Sequence, residues 1–338
     1  MSMPLNDSFH MVSQSQLQRF DWRQWQAFHE QISGDVICSG PKHDLAAFAG
    51  GISGLFFNGV VLGDLRANAH SFQRSTQRIG KDGISFFYLQ HFRKAFGSQI
   101  KAFKEIDDIR SGDLIFHDLT VPFETHHTDF EVSTLVFQRD ILSAYVDVDR
   151  GYPSFRISKE RAEHGLLVGL IEELRRTAPL MDRRAVSSVL RCLTELLANV
   201  LTPTCHQTPL VSEEGRHFLQ MRAAHKLLQQ HISDHTLSST EVAKALGISR
   251  ATVYRLFEPQ GGVMQTLKRM RLARARQILV ARPTLSIQRV AETCGFKNAH
   301  HFSRAFKQEF DSSPGEYRKR SAANEGESAS RYISWALR

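Results

Sequence analysis

Leu237-Ser-Ser-Thr-Glu-Val-Ala-Lys-Ala-Leu-Gly247-Ile-Ser-Arg-Ala-Thr-Val-Tyr-Arg-Leu-Phe257 and Leu285-Ser-Ile-Gln-Arg-Val-Ala-Glu-Thr-Cys-Gly295-Phe-Lys-Asn-Ala-His-His-Phe-Ser-Arg-Ala-Phe306 are two copies of one pattern. They are offset by 48 residues up to the glycine and by 49 beyond it, because the second copy has one extra residue in its turn. Each copy has the grammar of a helix-turn-helix. A first helix holds Val242-Ala243 or Val290-Ala291, where the small alanine lets a second helix approach. Gly247 or Gly295 then supplies a left-handed turn that residues with a Cβ adopt reluctantly. In the second helix Val253, Leu256 and Phe257, or Phe302, Ala305 and Phe306, share one face and predict a core.

Removing those core positions leaves the faces available for reading. In the first copy they are Arg250, Ala251, Tyr254 and Arg255. In the second they are Ala299, His300, Ser303 and Arg304, with Asn298 at the helix start and Lys307 one turn on. A helix laid in a major groove turns such side chains toward base edges. Arginine can donate two hydrogen bonds to guanine, Asn and Ser suit mixed edges, and an alanine methyl can meet the thymine methyl. With Arg250, Tyr254 and Arg255 the first face is expected to supply more electrostatic affinity than the second around Arg304. Met264 to Val280 reads as one basic helix of about 25 Å, set to hold the two reading helices at a fixed separation. Adjacent grooves require a separation of about 34 Å.

Charge agrees with this placement. Arg222 to Arg320 carries 18 Lys and Arg against 7 Asp and Glu, or +11, so the remainder of the chain holds −3 of the net +8. A basic C-terminal domain on a mildly acidic body points to a polyanion, here double-stranded DNA, as partner of that domain alone.

The segments Arg255-Leu-Phe-Glu-Pro-Gln-Gly-Gly262, Arg271-Leu-Ala-Arg-Ala275 and Gly295-Phe296 carry a further likeness, as do His301-Phe-Ser-Arg-Ala-Phe-Lys307 and Ser313-Pro-Gly-Glu-Tyr-Arg318. Together they resemble the signature of the AraC/XylS family of transcription regulators over about residues 218–320. Asp311 stands where a glycine is usual, and Thr266 where an aromatic is common. The resemblance implies a cytoplasmic, usually dimeric regulator with a C-terminal double helix-turn-helix domain. It implies an N-terminal cupin-like β barrel that senses a small molecule. RNA polymerase is then the expected protein partner, and neither a cofactor nor an enzymatic activity is expected.

The rest of the chain is consistent with that domain order. With 338 residues, 41% hydrophobic and 23% charged, more than one core is expected. β-formers recur between turn signals at Leu55–Leu65, Ser71–Arg78, Ile84–Phe92, Gln99–Ile106, Leu114–His117 and Val132–Phe137, implying an antiparallel sandwich or barrel. Ser111-Gly-Asp-Leu-Ile-Phe-His-Asp118, followed by Val121-Pro-Phe, is similar to the turn and strand pair of the AraC-type binding domain. A short amphipathic helix is read over Phe20 to Ile32. In 158–178 Leu167, Leu170, Ile171 and Leu174 mark a helix. From Asp182 to Leu201, Val186, Val189, Leu193, Leu196 and Val200 form a seam of coiled-coil spacing. Packing on its own β domain and pairing with a second copy both suit that seam.

The fold class is therefore α+β multidomain, a cupin-like β barrel with a helical pair followed by an all-α DNA-binding domain. The boundaries read as 1–157 for the effector-sensing domain and 158–201 for the helical pair, a possible dimer seam. Residues 202–211 read as linker, 212–320 as the double helix-turn-helix domain, and 321–338 as a flexible tail. No run approaches eighteen apolar residues, so no membrane partner is expected.

Alternative chemistries have weaker support. Cys38, Cys192, Cys205 and Cys294 form no close pair, so reduced thiols are expected. His117, His126 and His127 suggest a cupin metal site, but a His-x-His pair with a glutamate is missing, and adjacent histidines on a strand face opposite ways. No metal is expected. A cysteine methyl acceptor would need an activating base beside its cysteine, and Cys38 has no obvious partner. Phe56, Phe72, Phe86, Phe92 and Phe103 suit an apolar or aromatic effector.

Overall fold

The structure, a computed structural model, describes residues 13–14, 18–32, 35–37, 47–57, 59–82, 84–102, 105–204 and 213–323. Phe103, Cys38, Cys205 and the tail beyond Ala323 lie outside these residues. The chain divides into two units, Met1–Ser75 with Ser85–Thr208 and Thr76–Ile84 with Pro209–Arg338.

The first unit begins with strands β1 (Ser13–Gln14) and β2 (Gln18–Phe20), helix α1 (Trp22–Ile32) and strand β3 (Asp35–Ile37). Strands β4 (Gly50–Phe56), β5 (Val60–Ala67) and β6 (His70–Arg74) lead to helix α2 (Thr76–Asp82), which is grouped with the second unit. Strands β7 (Phe87–Ala95), β8 (Ser98–Ala102), β9 (Glu105–Ile109), β10 (Leu114–Asp118), β11 (Phe123–His127) and β12 (Phe130–Phe137) follow. Helix α3 (Arg139–Ser143), strand β13 (Phe155–Ile157) and helices α4 (Ala162–Thr177) and α5 (Arg183–Thr204) complete it. One antiparallel sheet has the order β1-β4-β5-β12-β7-β10-β13, with β2 also on β4; the other runs β3-β6-β11-β8-β9.

Alternation along the strands divides the large sheet into two faces. Leu62, Leu89, Leu114 and Leu135 pack on Leu167 and Ile171 of α4 and on Leu193 and Leu197 of α5. Each such side chain stabilises the fold by about 1.5–3 kcal/mol relative to exposure. The opposite face meets the second sheet through rings: His117 stacks on Phe123 at 4.4 Å, and His127 on Phe92 at 5.6 Å.

The seam on α5 is used within this unit. Val186, Leu193 and Val200 are buried in the core shared with the sheet, and Val189 and Leu196 pack against it. Residues 184–202 are long and apolar enough to meet a criterion for a membrane span, yet Arg184, Arg191, Glu195 and Asn199 line the helix's exposed side. The helix also runs through Pro203 to Thr204, so the first three residues read as linker are helical.

The motif around Ser111 to Asp118 forms scaffold. Asp113 is buried, accepts from Arg110 N at 2.8 Å and pairs with Lys159 at 2.9 Å. Asp118 is also buried. It takes two hydrogen bonds from Arg139, at 2.8 and 3.2 Å, and others from Thr120 N and Tyr152 N. A buried carboxylate held by this many donors is stable only in this loop conformation.

Several strand boundaries differ from the sequence reading. Leu55–Leu65 is the hairpin of β4 and β5, and Gln99–Ile106 is the hairpin of β8 and β9. Ser71–Arg78 is a strand only to Arg74, after which the chain turns into α2. In the first of these Asn58-Gly59 is a hairpin turn signal lying within the run, whereas Gln99–Ile106 offers no such signal.

The second unit continues with α6 (Glu213–Gln230), α7 (Ser239–Leu246), α8 (Arg250–Phe257), α9 (Val263–Ala281), α10 (Ile287–Thr293), α11 (Ala299–Phe310) and α12 (Pro314–Ala323). It has two cores. Met221, Leu228, Val242 and Phe257 gather on Val263 and Leu267, at the start of α9. Val290, Phe302 and Phe306 gather on Leu272 and Leu279, further along the same helix. At 19 residues α9 is about 28 Å long. Both departures from the family pattern are accommodated. Thr266 is buried, donating to Gln260 Oε1 and Gly262 O at 3.1 Å, and Asp311 takes a left-handed backbone, φ 52°, at the end of α11.

Candidate nucleic-acid interface

Side-chain caps start each helix of the two motifs. Ser238 accepts from Glu241 N while Glu241 accepts from Ser238 N at 2.7 Å, a reciprocal capping box that begins α7. Ser249 caps α8, Ser286 caps α10, and Asn298 caps α11 by accepting from His301 N at 2.8 Å. Gly247 has φ 63° and Gly295 φ 73°, the left-handed turn that the repeat predicts.

On α8, Val253, Leu256 and Phe257 are buried, while Arg250, Ala251, Tyr254 and Arg255 are exposed. The Arg250 guanidinium, and less so Ser239, lowers the pKa of the Tyr254 hydroxyl.

On α11, His300, Arg304 and Lys307 are exposed and Ser303 is half-buried. Two residues read as facing outward have other duties. The Asn298 carboxamide oxygen is occupied by its cap. Ala299 is half-buried and packs against the second core, because the first turn of α11 leans on the helix preceding it. His301, three residues before Arg304, is exposed as well. The i, i+3, i+4 spacing counted back from Arg304 would have found it. Arg304 and Lys307 equal Arg250 and Arg255 in number, so the faces differ in their remaining groups, Tyr254 against His300 and His301.

The surface is thus two exposed helix faces, each carrying two cations, mounted on opposite halves of one helix. Cations supply phosphate attraction and bidentate guanine contacts, while hydroxyl and imidazole groups supply further hydrogen bonds to base edges.

Comparison with known proteins agrees with this geometry. Residues 242–320 match the family described as a helix-turn-helix domain. Transcriptional activator NphR of Rhodococcus sp is 26% identical over 307 residues, covering 88% of this chain and 89% of that protein. The HTH-type transcriptional regulator GlxA of Rhizobium meliloti strain 1021 is 39% identical over 92 residues, 27% of this chain and 28% of that one. The crystal structure of the AraC-like transcriptional activator CuxR shares the fold, with a TM-score of 0.51 at 20% identity over 77% of this chain and 94% of the other. The chain is thus a DNA-binding regulator of the helix-turn-helix class. Its C-terminal part carries a helix-turn-helix domain of the AraC type, as in the regulators it resembles.

The sheet unit has its own polar interior. His117 is buried with both ring nitrogens engaged, Nδ1 with Ser154 Oγ at 2.9 Å and Nε2 with Gln90 Oε1 at 3.0 Å. Burial lowers its pKa to about 3. His126 is exposed beside Glu124 and Ser71, whereas His127 turns the other way, onto Phe92. Among the described residues no group of three or more His, Cys, Asp or Glu is placed to hold a metal. Phe72 stacks on Phe123 at 5.7 Å, and burial holds His29 at about 3 and His70 at about 4, so rings line this interior, with the buried Arg74 donating to Leu119 O at 2.9 Å.

Proposed function

We propose that the chain is a sequence-specific transcription regulator under small-molecule control, its α8 and α11 entering adjacent major grooves of double-stranded DNA. The observation that carries this reading is the pair of exposed faces, Arg250, Ala251, Tyr254 and Arg255 on α8 and His300, Ser303, Arg304 and Lys307 on α11, held on one continuous helix. Phosphate contacts supply most of the affinity and base edges the discrimination. The effector is apolar or aromatic, matching the rings that line the interior of the sheet unit, and acts by shifting the population of DNA-binding arrangements. The regulator works as a homodimer with RNA polymerase in the cytoplasm. Because α5's apolar stripe is occupied by its own sheet, the dimer contact uses another surface.

The test is selection of preferred DNA from a random pool, with and without candidate aromatic effectors. Two unequal half-sites about one helical turn apart are expected. Arg304→Ala should cost about 1–3 kcal/mol on the best site and relax preference at one position. Equal weakening on every sequence would make Arg304 a phosphate contact and remove α11 from base reading.

A further inference from the structure

The internal repeat is larger than the two helix-turn-helix copies. Arg271, in α9, donates Nε–H to Ile232 O at 2.9 Å and Nη2–H to Asp234 O, both in the turn between α6 and α7. Arg318, in α12, donates to Leu285 O at 2.7 Å, in the turn between α9 and α10. The two arginines lie 47 residues apart, close to the repeat offset. Thus α9 backs the first motif as α12 backs the second.

The first arrangement has an addition that the second lacks. The Ile232 carbonyl bound by Arg271 also lies against Gly295, where a Cβ would come within 2.5 Å of that oxygen and 2.9 Å of Arg271 Nε. Ser233 donates from Oγ to Thr293 O at 2.7 Å. The turn itself is stiffened, because Asp234 Oδ1 accepts from Thr236 N and Oγ1 at 2.9 and 2.7 Å. One junction therefore joins the entry turn of the first motif, the middle of α9 and the inner turn of the second motif. A single helix fixes the distance between two domains but leaves each free to pivot where it packs. A second attachment away from the helix axis removes that freedom.

We infer that the Arg271–Ile232–Gly295 junction, reinforced by Ser233, is a strut that sets the relative rotation of α8 and α11, and with it the half-site spacing the protein accepts. Arg271 is a positioning residue that acts through the two motifs. This inference rests on both faces reading DNA, as proposed above. One extra base pair moves a half-site by about 3.4 Å and turns it by about 34°, which a braced pair of helices cannot follow.

The experiment uses the full chain and duplexes carrying the selected half-sites at the preferred spacing and at one base pair more or less. Wild type should lose at least about tenfold in affinity on either altered duplex, roughly 1.4 kcal/mol. Arg271→Ala should lose less than about threefold, while scrambling either half-site still weakens its binding. Arg271→Lys should behave like the alanine variant, because an ammonium lacks the fork that spans two carbonyls. Ser233→Ala changes one exposed hydroxyl, keeps the fold and should fall between wild type and Arg271→Ala. Wild-type spacing discrimination in both Arg271→Ala and Ser233→Ala overturns the strut, as does full rescue by lysine. A wild type indifferent to scrambling of one half-site overturns the two-face reading instead, and the strut with it.

Discussion

Gly247 and Gly295 hold the same place in two copies of one motif, yet their surroundings have little in common. Both have left-handed backbones, φ 63° and φ 73°. A Cβ on Gly247 would meet nothing within 4 Å, whereas one on Gly295 would collide with Ile232 O and the Arg271 guanidinium. The first turn satisfies a local rule only. The second satisfies that rule and also serves as the seat for a neighbouring turn. Copies of one sequence pattern can therefore share local structure while only one of them carries a tertiary contact.

Substituting alanine at each glycine is the most direct way to break this comparison. Gly247→Ala meets backbone strain alone, about 1–2 kcal/mol. Gly295→Ala adds a carbonyl contact that cannot be relieved by a flexible side chain, and should cost at least about 3 kcal/mol. Denaturant unfolding of the two variants checks this, and equal losses would mean that the turn at Ile232 moves freely.

Acid should separate the two halves of the helical unit by a smaller margin. His225 on α6 lies 5.7 Å from Phe257, and burial lowers its pKa to about 4. Its folded pKa is below the unfolded value near 6.5, so the unfolded state binds the proton more readily. The stability contribution is complete above pH 6.5 and is lost as pH falls toward 4. Hydrogen exchange should show α6 to α8 losing protection over that range before α10 and α11 do. Simultaneous loss would show that the strut couples the halves into one cooperative unit.

The smallest difference expected is at the caps. Ser238 belongs to a reciprocal box with Glu241, while Ser286 accepts a single bond from Arg289 N. Ser286→Ala should cost about 1 kcal/mol and Ser238→Ala about 0.5 kcal/mol more. Thermal unfolding of the two variants gives the order, and a reversed order would mean that Glu241 contributes nothing.

The helical unit was far more legible in the sequence than the sheet unit. Serine and asparagine caps, a turn glycine and apolar residues three and four apart act within a dozen residues, so α7, α8, α10 and α11 could be read directly. Strands have no such local closure. The hairpins at Gly50–Ala67 and Ser98–Ile109 were read as single strands, the first despite Asn58-Gly59, and the start of the helix over Thr76–Asp82 was read as the end of a strand. Within the interface, Arg250, Tyr254, Arg255, Arg304 and Lys307 are exposed as periodicity predicts. Ala299 is half-buried against its own core and His301 is exposed, a difference that packing of the first turn of α11 decides and periodicity alone does not.

The sequence by itself determined the double helix-turn-helix and most of its outward faces, because periodicity, capping and turn chemistry are short-range. Only the tertiary structure decided which surface occupies the apolar stripe of α5, and that α9 divides its two halves between two cores. It alone also placed Arg271, Ile232 and Gly295 in contact. The Arg271–Ile232 contact alone joins residues 39 apart in the chain, and no local pattern records it.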